Sequence, residues 1–389
     1  MSFVSHLECG LTGERLPADR LQTVSAAGKP LLVRYDHAAQ RRALQRVDIE
    51  QRDAGFWRWR ELLPLPPDRE PVSLGEVETP LVALPATARA TGVARVEAKD
   101  EARLPTGSFK ARGLVMAVNM AKHFGVRAMA IPTNGNAGAA MAAYCARAGI
   151  AAHCFAPSDT PEANLREIAL HGAQLTVVDG MIDDCGKLVA AGEREGRWFN
   201  CATLREPYRI EGKKTMGLEL ALQCAWRLPD AIFYPTGGGT GLIGMWKAFD
   251  ELEALGWIGS ARPRLYAVQS EGCAPIVHAF EADAPFATRW EDSATIAHGI
   301  RVPAALGDFL ILRAVRDTGG AALAVSEQAI VDAWRDAARD DGFLMCPEGA
   351  ATLAGLRTAR ARGLVAPHEH VVLFNCASAY KYPLPADNL

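Results

Sequence analysis

Beyond about residue 75 the chain alternates short apolar runs with longer stretches of small and amphipathic residues. VRAMAIP (126–132), AAHCFAP (151–157), AQLTVVD (173–179), RWFNCA (197–202), AIFYPT (231–236), RLYAVQS (264–270) and HVVLFNC (370–376) are strand-length apolar runs. AGAAMAAYCARAG (137–149) and LREIALHG (165–172), lying between them, read as helices. Repeated strand–helix units predict an α/β fold with parallel sheets covered by helices. Ligands in such sheets bind beyond the carboxyl ends of the strands, so the loops that follow strands are where chemistry is expected.

The first 75 residues are more polar and follow another pattern. GERLPADRLQTV (13–24) and KPLLVRYD (29–36) predict a short hairpin. HAAQRRALQRVDIEQRDAGFWRWRELL (37–63) predicts a helix, and LPLPPDREP (63–71) a linker or stiff crossover. With 389 residues, 49% of them hydrophobic, the chain can bury more than one core. A net charge of −3 with the two signs interspersed argues against a nucleic-acid partner. No apolar run approaches the ~20 residues of a membrane helix. MSFVSHLECG lacks the charged and apolar regions of a secretion signal. The nine cysteines, at 9, 145, 154, 185, 201, 224, 273, 346 and 376, form no C-x-x-C and suit a reducing cytoplasm.

Four loops carry candidate chemistry. PTGGGTGLIG (235–244) follows AIFY and opens a helix, so its backbone N–H groups can converge on an anion, most readily a phosphate. Gly239, Gly241 and Gly244 also spell G-x-G-x-x-G, with Glu271 after the next strand, which leaves a dinucleotide open on this loop alone. LPTGSFKARG (104–113) sets Lys110 among small residues, an aromatic (Phe109) and a cation (Arg112), surroundings able to keep an amine neutral and nucleophilic. A phosphate cradle together with an amine nucleophile is what a pyridoxal phosphate site requires. IPTNGNAGAA (131–140) places Thr133, Asn134 and Asn136 at a strand end, to cap a helix or to bind a carboxylate and a phenolate oxygen. FNCASAYKYP (374–383) brings Cys376 and Ser378 just past a strand, as ordinary loop residues or as partners of a ring nitrogen.

These loops, in this order, resemble the fold-type II pyridoxal-phosphate enzymes, the tryptophan synthase β-like family, and within it most nearly the threonine synthases. PTGSFKARG is similar to the lysine segment that usually ends Lys-Asp-Arg-Gly, and PTNGNAG to the Ser/Thr-x-Gly-Asn loop. EPYRIEGKKTMGLEL (206–220) and CPEGAATLAG (346–355) resemble two further elements. The similarity runs from about residue 76 to 383. More weakly, LECGLTGERLP…GKPLLVRYD resembles a zinc-ribbon-like leader. Of that leader's cysteines Cys9 alone remains, so no metal is expected, four ligands being needed.

The resemblance implies two parallel-sheet α/β domains and a small N-terminal extension. Its boundaries would be 1–75 for the extension, 76–108 with 213–389 for the large cofactor domain, and 109–212 for the small domain. It implies Lys110 as the lysine that carries the cofactor as an imine, beside Phe109. Gly237, Gly238, Gly239, Thr240 and Gly241 would cradle the phosphate, Asn136 the 3′-oxygen, and Cys376 the pyridine nitrogen. Ser108, Thr133, Asn134, Ala137 and Arg112 would face the substrate. The implied reaction is elimination and addition at Cβ and Cγ of an amino acid by a cytoplasmic homodimer, foremost O-phosphohomoserine and water to threonine and phosphate. A serine/threonine dehydratase, a β-replacement enzyme, a regulatory paralogue and, remotely, an NAD-dependent oxidoreductase are the alternatives. Arg112, Arg209, Lys213 and Lys214 are candidate partners for a leaving phosphate. Two departures bear on the reaction: Ala111 stands where Asp is usual, and Cys-Ala-Ser-Ala-Tyr-Lys-Tyr replaces a Thr/Ser-Gly-x-Gly-x-Lys loop.

Overall fold

The structure is a computed structural model that describes residues 3–385. It divides into two compact units. One comprises Met1–Glu78, Leu104–Leu222 and Ile243–Gly259; the other comprises Thr79–Arg103, Gln223–Leu242 and Ser260–Leu389.

The first unit holds a four-stranded parallel sheet ordered Gln174–Val178, Ala151–Pro157, Ala128–Pro132 and Phe199–Asn200. Strands 128–132 and 151–157 both close on a proline, which cannot donate to the ladder and so marks where the loop begins. Helix Lys110–His123 is buried without interruption from Ala111 to Ala121, its Arg112 and Asn119 being satisfied by partners inside the protein. Its Leu114, Val115, Met116 and Val118 share a core with Ile131, Met141 and Tyr144.

The N-terminal segment belongs to this unit. Val4–Cys9 lies between Arg15–Leu16 and Leu31–Tyr35, antiparallel to both. The expected hairpin is met in part: its two arms face each other in an isolated antiparallel bridge, Val24–Pro30, while Arg15–Leu16 and Leu31–Tyr35 pair with this earlier strand. Val4–Cys9, too polar at alternate positions to stand out as a run, has Leu7 and Cys9 in the core. The expected single helix over 37–63 is likewise three pieces, His37–Ala43, Arg46–Glu50 and a 3-10 turn Phe56–Leu62. Gly55 at φ 142° breaks the last of these away, and the aromatic Phe56 and Trp59 behind it are buried.

Two sets of buried charges lie in this unit, and the second ties the N-terminal segment down. Arg112 pairs with Glu219 of helix Tyr208–Gln223 through Nη1–Oε1 at 2.6 Å and Nη2–Oε2 at 2.7 Å, both side chains being fully buried. Next to it, Lys214 contacts Glu211 at 2.7 Å and Glu251 at 2.8 Å, and Lys247 contacts Glu211 at 2.8 Å and also Glu251. Tyr35 donates its hydroxyl proton to Glu211 at 2.6 Å, and Lys214 lies 4.2 Å from the Tyr35 ring centroid and donates to the Leu62 carbonyl. Burial pushes the Glu211 carboxyl up, but the Lys214 and Lys247 ammonium groups outweigh it and hold the carboxyl well below the usual range. A carboxyl depressed in the folded state contributes stability above the unfolded pKa near 4.5 and loses it as pH falls toward 2. Urea unfolding midpoints are thus expected to fall across that window, and Lys247→Met to move the fall to higher pH. A variant profile superimposable on wild type would count against the network.

The second unit is built on a six-stranded sheet ordered Ala321–Val325, Arg264–Ser270, Ala231–Pro235, His370–Asn375, Arg95–Asp100 and Leu81–Ala83. All neighbours are parallel except the last pair. Ala231–Pro235 and His370–Asn375 are central and almost wholly buried, which accounts for their continuous apolar runs. Arg95–Asp100 (RVEAKD) carries charge on alternate residues and lacks the apolar run of a strand. Its Lys99 is buried because Thr79 O and Gln223 Oε1 accept from the ammonium at 2.6 and 2.8 Å.

Candidate active site, unit by unit

In the first unit the lysine segment begins with a strained turn. Thr106 (φ 58°) and Gly107 (φ 59°) are both left-handed, and Gly107 N–H returns to the Leu104 carbonyl at 2.9 Å. The chain then extends through Ser108 and enters helix Lys110–His123, with Lys110 half-buried as its first residue. Ser108 is fully buried and its Oγ has no hydrogen-bond partner, as expected of a hydroxyl meant for a ligand. Ala111 is fully buried in the core, where a carboxylate would need a partner, so alanine at this position packs.

Helix Tyr208–Gln223 crosses the lysine helix at two glycines. A Cβ on Gly212 would lie 1.8 Å from the Arg112 carbonyl oxygen, and one on Gly113 would lie 3.0 Å from Lys213 Cε. That close crossing brings Lys213 onto Phe109: its Nζ lies 3.7 Å from the ring centroid and donates to the Phe109 carbonyl. Lys110 Nζ lies 4.4 Å from the same centroid. Glu206 caps the start of the crossing helix, accepting from Tyr208 N–H at 2.8 Å and from Arg209 N–H. Burial, against the pull of Arg209, raises the Glu206 carboxyl to about 7. Arg209 donates Nη1–H to the Cys201 carbonyl at 2.8 Å, while its buried Nε has no hydrogen-bond partner. Of the four cations considered for a phosphate, Arg112 and Lys214 thus have carboxylate partners, while Arg209 and Lys213 donate to the Cys201 and Phe109 carbonyls.

After strand Ala128–Pro132, Gly135 at φ 117° turns the chain into helix Asn136–Ala148, and a Cβ there would meet Asn164 Cγ at 2.6 Å. Thr133 Oγ1 accepts from Gly135 N–H at 3.0 Å and Gly138 N–H at 2.9 Å, so it caps this helix. Thr133 and Asn136 are buried; Asn134 and Ala137 are partly exposed at the same helix start.

In the second unit the glycine turn follows strand Ala231–Pro235 and leads into helix Thr240–Ala254. A Cβ on Gly237 would lie 2.8 Å from Val302 Cγ2, and one on Gly239, at φ 71°, 2.3 Å from Ile311 Cδ1. These two glycines are therefore required by the walls around the turn as well as by its backbone. Gly238 is partly exposed, while Thr240 is buried. Gly244, the third glycine of the dinucleotide-like spacing, has another duty within the first unit. A Cβ there would lie 2.9 Å from Lys214 N, so it is small to let two helices cross.

Cys376 follows strand His370–Asn375 and is buried with Ala377 and Ala379. Asn375 holds that strand end: its amide donates to Asp100 at 2.9 Å and its Oδ1 accepts Cys346 N–H at 3.0 Å. Sequence reasoning gave no role to Glu348, which is buried and accepts Gly299 N–H at 2.7 Å. Burial raises its carboxyl above the usual range; burial, with Glu348 and Cys376 adding, pushes the Cys346 thiol well up too. Only an acid inside an apolar helix start hinted at it. Among the described residues no group of three or more His, Cys, Asp or Glu could hold a metal ion, and no helix is long and apolar enough to cross a membrane.

A family model described as "Pyridoxal-phosphate dependent enzyme" matches residues 72–377. A threonine synthase of Methanosarcina acetivorans is 32% identical over 380 residues, covering 97% of this chain and 92% of the relative. One of Mycobacterium bovis is 33% identical over 326 residues, covering 84% and 88%. Among solved structures, maize serine racemase superposes with a TM-score of 0.65 at 21% identity, covering 77% of this chain and 88% of its own, a likeness of fold. The residues present fit such a cofactor. The 237–241 turn leads into a helix whose N-terminal amides suit a phosphate, and a half-buried primary amine opens the lysine helix beside an unpartnered buried hydroxyl. A nicotinamide reading uses the glycine turn alone and is set aside. The chain belongs to the pyridoxal-phosphate-dependent enzymes of fold type II, in which threonine synthases are its relatives.

Proposed function

We propose that this enzyme is a threonine synthase, converting O-phosphohomoserine and water to threonine and phosphate. Relatives of that name matching across nearly the whole chain support the reaction. The observation that carries the phosphorylated substrate is Arg209, a buried guanidinium whose Nε has no protein acceptor. Arg112 and Lys214 are assigned instead to their buried ion pairs. Homodimeric assembly and a cytoplasmic site are part of the same reading, the second supported by nine free cysteines, eight of them buried.

Within this reading Lys110 would hold the cofactor and, as a free amine, would take the proton from Cα and return protons as the reaction proceeds. When bound, pyridoxal phosphate spreads the negative charge left at Cα. Gly237 to Gly241 would hold the cofactor phosphate with backbone N–H groups, and Asn136 would orient the ring through its 3′-oxygen. Cys376 would be the partner of the pyridine nitrogen; a thiol is a weak donor and would leave that nitrogen without a full positive charge. Such a partner tempers charge delocalisation and suits elimination and addition at Cβ and Cγ. The amides opening helix Asn136–Ala148, with Ser108, Thr133, Asn134 and Ala137, receive the substrate carboxylate. Arg209 accepts the departing phosphate.

Phosphate release from O-phosphohomoserine with matching threonine is the expected result. Formation of 2-oxobutyrate from threonine, without phosphate release, would make the enzyme a dehydratase. Arg209→Met is expected to weaken use of O-phosphohomoserine by roughly 10- to 100-fold in kcat/KM, the worth of a charged hydrogen bond. Equal loss on a substrate lacking phosphate would remove Arg209 from this role.

A further inference from the structure

The two faces of the four-stranded sheet in the first unit are covered differently. Cys154 and Leu175 point toward the lysine helix: both pack with its core, and Cys154 donates to the Gly138 carbonyl at 3.7 Å. Alternation along each strand then sends His153, Phe155, Gln174 and Thr176 to the opposite face. The register pairs His153 with Gln174 and Phe155 with Thr176, and Gln174–Val178 is the edge strand. Trp198 stands beside them. Its Nε1–H donates to the Val189 carbonyl at 3.0 Å, and its ring lies so close on helix Ile182–Arg194 that a Cβ on Gly192 would meet it at 2.1 Å. These residues, with Arg197, line a cleft of about 320 Å³.

The geometry points to this cleft as a binding site for an uncharged, planar nitrogen heterocycle, a nucleobase or its nucleoside. Its walls, its hydrogen-bonding groups and its charge select that class. The walls are aromatic: the Trp198 centroid lies 4.9 Å from that of His153 and 5.6 Å from that of Phe155, and flat rings stack on such surfaces. Among the described residues, the His153 imidazole, the Gln174 amide and the Thr176 hydroxyl have no hydrogen-bond partner in the protein. Side by side they offer donors and acceptors, as the edge of a base does, and an amide side chain can meet that edge through two hydrogen bonds at once. A purely apolar ligand would displace water from these groups and return no hydrogen bond.

Charge separates the heterocycle from an anion. Arg197 lies 4.4 Å from the Trp198 ring centroid, and its Nε is already paired with Glu195 at 2.7 Å. A phosphate or carboxylate would have to break into that pair, whereas an uncharged ring only extends the stack. The volume is at the low end of small-molecule sites, about 300–1,000 Å³, which suits one base with its sugar. Little ordering is left for a ligand to impose, because Trp198 is held by its helix and the other walls by paired strands. The sheet itself stands between this cleft and the lysine helix, so the heterocycle and the substrate do not compete.

Equilibrium dialysis of the full-length holoenzyme against radiolabelled adenosine tests the assignment. Saturable uptake of one molecule per chain is expected, with a dissociation constant at or below ~1 mM, and unaffected by saturating O-phosphohomoserine. Gln174→Leu and Thr176→Val, both on the edge strand, should each weaken uptake roughly 3- to 10-fold, the worth of one hydrogen bond. Trp198→Leu should weaken it by at least ~10-fold through lost stacking. No saturable uptake by wild type up to ~5 mM would overturn the proposal and requires no variant to fold. Unmoved uptake in Gln174→Leu and Thr176→Val proteins of native circular dichroism would overturn it too, by placing adenosine elsewhere. Displacement by O-phosphohomoserine would do the same, putting adenosine in the catalytic site. Benzyl alcohol taken up as tightly as adenosine would leave the cleft an unselective apolar slot and sink the assignment.

Discussion

Lys110→Ala is expected to be colourless and inactive, losing the near-visible band of the wild-type holoprotein and at least ~10³-fold in turnover. In the proposed mechanism the side chain removed is both the attachment point of the cofactor and the base that moves its substrate's proton, so no second group would supply either task at the same atom. The fold should survive. Lys110 is half-buried at the first position of its helix, and alanine is the best helix former. Circular dichroism and the thermal midpoint are accordingly expected to stay near wild type. A variant that kept the band would sink the assignment of Lys110, and an amine elsewhere would have to be sought by reductive trapping and peptide mapping.

Glu219→Gln is the substitution expected to damage stability most, by about 3–5 kcal/mol. Glu219 neutralises Arg112 through two short charged hydrogen bonds, with both side chains fully buried. Glutamine keeps the shape and one acceptor but leaves a guanidinium charge in a dry environment facing an N–H₂ group. Urea denaturation should register the loss as a lower midpoint at similar slope, and a domain of ordinary stability, roughly 5–15 kcal/mol, would have much of its margin removed. The informative control is the pair Arg112→Met with Glu219→Leu. Removing both charges together is expected to cost little, since the buried pair gains little over apolar residues of similar size. Should the single variant prove neutral, the α-helical crossing at Gly113 and Gly212 would have to be holding the two helices unaided.

How much of the fold is legible in one dimension depends on which force shapes each segment. The runs at 231–235, 264–270 and 370–375 are strands buried almost throughout, and a parallel strand covered on both faces needs the continuous hydrophobicity that a sequence displays directly. Strand Arg95–Asp100 is hidden because its lysine is buried by two acceptors distant in sequence, Thr79 and Gln223. The Arg/Gln-rich stretch 37–63 looks helical by composition and breaks at Gly55, whose positive φ a propensity argument passes over. In the N-terminal sheet, pairing escapes a hairpin argument because register and partner choice are settled by which faces bury Leu7, Cys9, Leu31 and Val33 together.

At the candidate site the same division holds. The 237–241 turn and the lysine after PTGSF, proposed as cradle and nucleophile, are legible because a phosphate cradle and an amine nucleophile demand particular residue types at particular places along the chain. Gly-Lys-Lys-Thr at 212–215 is not. Its two lysines are identical neighbours in sequence, with equal standing as phosphate partners. Successive positions on a helix point about 100° apart, so Lys214 turns into a cage of Glu211, Glu251 and Tyr35 while Lys213 turns onto Phe109 beside Lys110. By itself the sequence determined the cofactor's chemistry and the fold class, since both are written in local pattern. Which cation is neutralised and which one faces the reactive amine was decided by the tertiary structure alone, because charge pairing depends on distances that only the crossing of two helices creates.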